Sequence, residues 1–567
     1  MKRPSALVYG VDDQPPTRVL WFAAAQHLSM ITVFLVVPLA VCRAAKLSAD
    51  DARNVLSLTL LAVGLGTLLQ SARRGPLGCG YFAPNGPSAI YLGPALVAAQ
   101  LGGISLVLGM TLFAGAVEAA VSRVWHRLRP FLPIELSGLV VMMIGVSFAA
   151  LGVRIMLGGQ NGGPLPMPDW GVAGFTLLVT VVLNVWTRGM AKLLCALAGL
   201  VAGYALAVQL GVASEFESAR IADLPILNLP GLAHLGWSFD SALALPFAVA
   251  GVAVAMNTSA SVTVFQRMND ADWVRPELTT IRRATLTDGV VTMAASGMGA
   301  YGLTMLAAST GLIVATQVAA RRIALPLALL AVAAAFIPRY TALMVATPDP
   351  VVAGAAFFAS AFVIASGMQI ITSRMMDARR SLAIGLGVIT SIAVLMFPGA
   401  AAAAPTWLRP IGTSPLVAGV VVAFLLNLLF RLGVKQRVQT SIAPDGTHPR
   451  VIEDFLNQHG AAWGARQDVM RRAVFGVTQL VETVVDHCQP LDDLQLEASF
   501  DEFNLDGAVR YQGQLLDLPT SRPKDDDILA SDEGARRLAG YMLRRNADKV
   551  QSDVDAGHVT VRFHFDH

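Results

Sequence analysis

The stretch 299-GAYGLTMLAASTGLIVATQ-317 interrupts a long apolar region with small and hydroxyl-bearing residues, and its reading decides the fold. Backbone this rich in Gly, Ser and Thr makes a poor lipid-facing span, because irregular chain at membrane depth is tolerated only where protein buries it or where it lines a cavity. A second segment of the same character, 84-PNGPSAIYLGP-94, opens with helix breakers. The two fall third and tenth in a series of apolar runs, at equivalent positions in two halves of seven. Broken segments at matching positions mark an inverted repeat whose half-helices point their N-terminal dipoles at a substrate.

Working outward from these two segments, runs of about 20 apolar residues, enough to cross a hydrocarbon core roughly 30 Å thick, recur from Trp21 to Phe430 in a chain that is 54% hydrophobic. Spans are expected near 18–42, 54–70, 87–101, 103–122, 132–152, 170–187, 191–211, 240–264, 284–298, 300–318, 324–346, 350–373, 380–399 and 413–432, fourteen in all. The fold class is therefore an all-α polytopic membrane protein, a seven-plus-seven inverted repeat with half-spans 3 and 10, followed by a small α+β domain. The domains are a cytoplasmic N-terminus (1–17), a transporter domain (18–434), a linker (435–450) and a cytoplasmic domain (451–567). No cleavable signal is expected, since Met1 to Arg18 is polar and the run that follows is too long.

Charge orients the chain. Arg73 and Arg74, then Arg123, Arg127 and Arg129, Arg188 and Lys192, Arg267, Arg282 and Arg283, Arg321 and Arg322, and Arg374, Arg379 and Arg380 fall in alternate loops. The intervening loops are Gly/Pro-rich (Gly158 to Pro168), acidic (Glu215, Glu217, Asp223) or nearly uncharged. The positive-inside rule then places both termini in the cytoplasm, the expected location being the inner membrane. Residues 435–567 hold 22 of the 39 acidic residues against 15 of the 42 Lys and Arg, so an acidic tail at −7 balances a basic membrane region at +10. That basic charge sits in short loops and gives no nucleic-acid surface. Cys42, Cys79, Cys195 and Cys488 form no metal or disulfide pattern, and no cofactor is expected.

The chain carries Gln26-His27 in span 1, the half-span Gly86 to Pro94, Asp288-Gly289 opening span 9, 308-ASTGLIVATQ-317 and 366-SGMQIITSRMMDARRS-381. In this order and spacing, over roughly residues 15–435, it resembles the nucleobase-ascorbate transporters, the xanthine/uracil permease family. The resemblance implies a core (spans 1–4 and 8–11) moving elevator-like past a gate (spans 5–7 and 12–14), usually in a homodimer. It implies substrates such as uracil, xanthine or urate, coupled to H+ or Na+, and no enzymatic activity.

The departures matter as much. Where the family usually has Gln, Glu or Pro followed by Asn in span 10, this chain has Ala308 and Ser309, then Thr310, Gly311 and Thr316; where span 8 usually places a Glu and sometimes a His, it has Met256 and Ala260. With both carboxylate positions apolar, the expected substrate contacts are backbone groups of Ser88, Ala89, Ile90 and Tyr91 together with Asn257, Ser309 and Thr310, alongside Met256, Ala260 and Ala308. Such a set suits a neutral polar ring or, through helix N-termini, an anion. With the core read as lacking Asp or Glu, His27 is the titratable candidate, alternatively a structural partner of Asn257. Gln26 is structural or coupling. Glu118 is read as snorkelling or paired near Arg123, or as a coupling group, and Asp288 as an acid at a helix start.

In the tail, helices are expected at Val451–Gly460, Asp468–His487 and Gly534–Arg545, and strands at Leu494–Phe500, Ala508–Leu515 and Val559–Phe565, with an acidic turn at 524-KDDD-527. That order weakly resembles degenerate histidine-kinase-type ATPase and anti-sigma domains. The matching helix 479-QLVETVVDH-487 has Gln479 and Thr483 where that family has Glu and a metal-binding Asn, and 516-LDLPTSRPKDD-526 lacks a Gly-rich phosphate loop. A regulatory or dimerisation role with a cytoplasmic partner is expected, without nucleotide. Two rival functions are an anion transporter of the sulfate-permease type and a transporter-derived sensor signalling through its tail.

Overall fold

The computed structural model describes residues 4–5, 7–73, 75–128, 133–157, 166–187, 195–212, 221, 223–232, 235–273, 276–372, 376, 378–397, 399, 412, 414–430, 436–444, 448–463, 465, 467–488, 490–500, 504–523, 532–555 and 557–566. The 524–527 turn and the loop residues Arg74, Arg129, Arg188, Lys192, Glu215, Glu217 and Arg374 lie outside them. Two compact units emerge: 1–373 with 382–425, and 374–381 with 426–567.

The first unit begins with α1 (Thr17–Phe34), which breaks at Leu35 into α2 (Val36–Ala44), and α3 (Ala49–Ser71), capped by the Ser48 hydroxyl. A short strand, β1 (Asn85–Pro87), and a single 3-10 turn (Ala89–Tyr91) lead into α4 (Leu92–Leu128). Next come α5 (Ile134–Met156), α6 (Met167–Trp186) and α7 (Cys195–Gln209). The second half follows as α8 (Ala244–Asn269), α9 (Leu278–Met298), β2 (Leu303–Met305), α10 (Ala307–Thr316), α11 (Ala324–Ala335), α12 (Pro338–Val345), α13 (Asp349–Ile371), α14 (Ala378–Met396) and α15 (Pro415–Phe430).

Among the described residues, eight helices are long and apolar enough to cross a membrane, or nine if α11 and α12, bent by 77°, are one span. The remaining expected spans fall short for physical reasons. The helix α9 carries Arg282, Arg283 and Asp288, α7 and α15 are short, and α10 is a half-span of 10 residues. The break expected between 87–101 and 103–122 falls inside α4, which is two helical segments that meet where Gly102 and Gly103 leave helical geometry; Gly103 has φ +67°, a conformation that costs other residues about 1 kcal/mol or more. The core packs α4 against α9 and α8, and α3 against α11, while α5 runs along α13 and α6 pairs with α7.

The second unit is a five-stranded, fully antiparallel sheet in the order β3 (Gln436–Ile442), β4 (Leu494–Phe500), β5 (Asn504–Gln512), β7 (His558–Asp566), β6 (Lys549–Asp555). Its helices are α16 (His448–Ala462), α17 (Gln467–His487) and α18 (Asp532–Asn546). The expected linker is thus corrected: residues 436–442 form an edge strand paired with β4 from Gln436↔Phe500 to Ile442↔Leu494. Alternation explains the single core. Leu494, Leu496, Val509, Tyr511, Val561 and Phe563 turn inward, while Glu497 meets Arg437 and Arg510 on the other face and His564 meets Asp506 at 2.6 Å. Burial pushes the Cys488 thiol up from its ordinary range.

Candidate functional site

The two segments that break the apolar pattern meet. β1 and β2 pair antiparallel through Asn85↔Met305, Gly86↔Thr304 and Pro87↔Leu303, and the ladder is extended at its ends by Ser88 N donating to the Gly302 carbonyl and Leu306 N to the Pro84 carbonyl, both at 3.0 Å. Backbone that Pro84, Gly86, Pro87 and Gly302 keep out of a helix thereby satisfies its polar groups inside the bundle, as a buried irregular segment must. Gly299, at φ +93°, ends α9 and turns the chain into β2. Hydroxyls from the surrounding helices complete the frame. Thr59 Oγ1 accepts from Tyr301 N and Thr67 Oγ1 from Asn85 N, each at 3.1 Å, Thr292 donates to the Leu303 carbonyl at 2.8 Å, and the Tyr301 hydroxyl donates to the Ser88 carbonyl at 3.2 Å.

A helix leaves the ladder from each strand. Neither start is capped by a side chain: Ser88 precedes the Ala89–Tyr91 turn and Leu306 precedes α10. The first α10 bond is Thr310 N to the Leu306 carbonyl, so the N–H groups of Ala307, Ala308 and Ser309 have no partner among the described residues, nor do those of Ala89 and Ile90. Ser88 Oγ and Ser309 Oγ are fully buried and likewise unpartnered. Four uncommitted N–H groups are the usual state of a helix N-terminus, but a buried one calls for a ligand or another partner.

Asn257, on α8, donates through Nδ2 to the Met305 carbonyl at 2.9 Å and to Thr304 Oγ1 at 3.2 Å, leaving Oδ1 without a partner among the described residues. It does not meet His27, as the sequence allowed. The His27 imidazole instead packs edge-on against Phe82 with centroids 4.9 Å apart, and its buried Nδ1 has no partner among the described residues. Gln26 is buried beside it on α1. Met256 is fully buried on α8 with Ala260 one turn on, and Ala308 and Thr310 are nearly so on α10.

Asp288 departs most from expectation. It sits at the middle of α9 rather than at a helix start, completely buried, with its carboxylate holding the ladder together. Oδ1 accepts from Asn85 Nδ2 at 2.9 Å; Oδ2 accepts from Thr258 Oγ1 at 2.7 Å, Thr304 Oγ1 at 3.1 Å and Met305 N at 3.4 Å. One side chain thus ties α8, α9, β1 and β2. Glu118 is also corrected. It neither snorkels nor pairs with Arg123, being fully buried on α4 with its carboxyl beside that of Asp288 and no other partner among the described residues. The two acids are brought together because α4 and α9 touch backbone to backbone: a Cβ on Gly289 would lie 2.7 Å from both Ala119 N and the Gly115 carbonyl. The interior is therefore not free of carboxylates. Sequence reasoning missed Asn85 and Thr304 as partners of Asp288, although polar residues in otherwise apolar spans were the available signal.

Broken helices that start from a buried ladder inside an apolar, many-helix bundle define a membrane transport protein. The model of the Permease family (Xan_ur_permease) matches residues 18–400, and the chain belongs to that family, a multi-pass permease. The match ends before the C-terminal sheet domain. Xanthine permease XanP of Escherichia coli (strain K12) is 27% identical over 450 residues, covering 75% of this chain and 95% of that one. Uric acid permease PucJ of Bacillus subtilis (strain 168) is 26% identical over 428 residues, 73% of this chain and 93% of that one. Among solved structures, the transmembrane domain of a cyanobacterium bicarbonate transporter, BicA, shows a TM-score of 0.47 at 14% identity over 74% of this chain and 100% of that one, too distant a likeness to weigh on substrate.

Proposed function

We propose that this permease carries an oxopurine nucleobase, xanthine or urate, across the inner membrane. The purine would lie against the two uncapped helix starts at Ala89 and Ala307, with Asn257, Ser309 and Thr310 supplying side-chain contacts and Met256 and Ala260 an apolar wall. The observation that carries this reading is the pair of buried helix starts with unpartnered donors, in a chain whose relatives are named xanthine and uric acid permeases. A purine edge presents carbonyl oxygens and ring nitrogens that can accept from such donors, and unmatched groups on either side cost about 1–3 kcal/mol each.

The wider reading has fourteen spans in an inverted repeat, with both termini cytoplasmic. The core (spans 1–4 and 8–11) moves elevator-like against the gate (spans 5–7 and 12–14) in a homodimer, coupled to H+ or Na+. Residues 436–567 serve as an accessory domain for a cytoplasmic partner. Uptake of radiolabelled xanthine and urate into cells lacking their own purine permeases tests the core proposal. Saturable uptake that falls at least several-fold in Asn257→Ala and Ser309→Ala is expected; membrane-inserted protein that accumulates neither purine would overturn it. Deleting 436–567 should leave uptake in place, whereas signalling lost without any uptake by the intact chain would identify a sensor.

A further inference from the structure

We infer that the connection between α7 and α8 is a strap lying in the interfacial layer of the bilayer, with lipid as the partner of its apolar side chains. From Leu224 to Phe239, LPILNLPGLAHLGWSF, the chain has no Asp, Glu, Lys or Arg, while Asp223 and Asp240 mark the two ends. Its described backbone is neither helix nor strand. Ile226 and Leu227 are each 69% exposed, Leu229 79% and Leu232 62%. A contiguous apolar patch of this kind marks a contact surface, and Trp237 is a residue type that collects where membrane meets water.

The strap is fastened along its length. Arg339 Nε on α12 donates to the Leu224 carbonyl and Asn228 N to the Phe336 carbonyl, both at 3.0 Å. Asn54 on α3 donates to the Gly231 carbonyl at 2.8 Å and accepts from Gly231 N at 2.7 Å. Farther on, Trp237 Nε1 donates to the Ser296 carbonyl of α9 at 2.9 Å, and Ser238 N to the Ser105 carbonyl of α4 at 3.0 Å. Backbone meets backbone at Gly109, where a Cβ would lie 1.9 Å from the Ser238 carbonyl.

These attachments set its depth. α11 has 12 residues, about 18 Å of rise against a hydrocarbon core of about 30 Å. The chain then bends by 77° into α12, and the strap bonds at that bend, on Phe336, so it fills the level at which the helix stops short. One edge of the strap, at Asn228 and Gly231, borders a cavity of about 350 Å³ that Asp50, Asp51 and Arg53 make polar. The other edge carries the exposed Ile226, Leu227 and Leu229. The helices beneath, α3 and α11, present exposed Leu65, Leu325 and Leu329, so they too face lipid along part of their length. Irregular backbone with few internal hydrogen bonds does not belong in the hydrocarbon centre, but it is tolerated at headgroup level, where water reaches it. Nothing in this placement depends on which solute the permease carries.

The test puts a fluorophore on the strap of the full-length chain in proteoliposomes. Cys42, Cys79, Cys195 and Cys488 are buried, so maleimide chemistry addresses Leu229→Cys, with Leu227→Cys as a second site should the first fail to insert. Leu178→Cys, exposed at the middle of α6, is the hydrocarbon reference, and Gln551→Cys, exposed on β6, is the water reference. Three quenchers are compared: a phospholipid with a nitroxide at its headgroup, one with the nitroxide at its chain end, and iodide on both sides of the membrane. The strap is expected to be quenched by the headgroup nitroxide more strongly than Leu178→Cys, by the chain-end nitroxide less strongly, and by iodide several-fold less than Gln551→Cys. Iodide quenching equal to that of Gln551→Cys would overturn the inference by making the strap a loop in water. Protection from all three quenchers would overturn it by showing that protein covers the strap, and strongest quenching by the chain-end nitroxide would overturn the interfacial depth.

Discussion

Replacing Asp288 by Asn changes one oxygen for an NH2 group and removes the charge, at the point where four elements are joined. In the least damaging orientation the amide oxygen keeps the donors on the Oδ2 side, and its NH2 faces Asn85, which must turn its amide to offer the unpartnered Oδ1 in place of the Nδ2 that donates across 2.9 Å. Exchanging a charge-assisted hydrogen bond for a neutral one costs about 1 kcal/mol. The Thr258 bond at 2.7 Å and the Thr304 bond at 3.1 Å weaken to neutral strength, while the 3.4 Å contact from Met305 N is too long to add much. The sum is about 2–4 kcal/mol. Because a three-pair ladder has little stability of its own, the loss should appear both as a lowered apparent Tm of the full chain and as purine binding weakened by more than tenfold. A double-mutant cycle with Asn85→Ala isolates the pair, and a coupling of about 1 kcal/mol or more is expected. Wild-type Tm and Kd in Asp288→Asn, or strict additivity in the cycle, would refute the claim that this carboxylate organises the site.

Gly289→Ala places a methyl 2.7 Å from backbone atoms of α4, so the helices must separate; a destabilisation of about 1–3 kcal/mol is expected in a thermal scan, and an unchanged Tm would show that the contact is not tight. Glu118→Met removes a buried carboxyl that packs beside the Asp288 carboxylate, and by relieving two acids in one buried place it should leave Tm equal or higher, whereas a large loss would show that the two acids share a proton. In the tail, the Cys488 thiol is buried and shifted upward, so it should resist maleimide at neutral pH until the domain unfolds. Rapid labelling of folded protein would contradict that packing.

Asp288 and Glu118 show where sequence reasoning stopped. Each was visible as a charge in an apolar stretch, and local rules offered a helix cap for one and a snorkelling pair for the other. Both rules look only a few residues along the chain. Asn85 and Asp288 are 203 positions apart, and nothing local reveals that their side chains meet. The tail behaved similarly. Its amphipathic helices and the strand 494–500 were legible from periodicity, but the edge strand 436–442 was read as a linker because its pairing with β4 is a long-range fact.

Composition and pattern alone determined that this chain is a many-span membrane protein with an acidic C-terminal domain, because the bilayer imposes a length and a polarity on each span that any window of sequence reveals. They also located the two broken segments, since Gly and Pro act through their own backbones. The pairing of these segments as one ladder, and the buried aspartate rather than a histidine that holds it, came only with the tertiary structure, which also leaves donors uncommitted at both helix starts. Those outcomes depend on which groups remain unpaired after packing, and that is a property of the whole bundle.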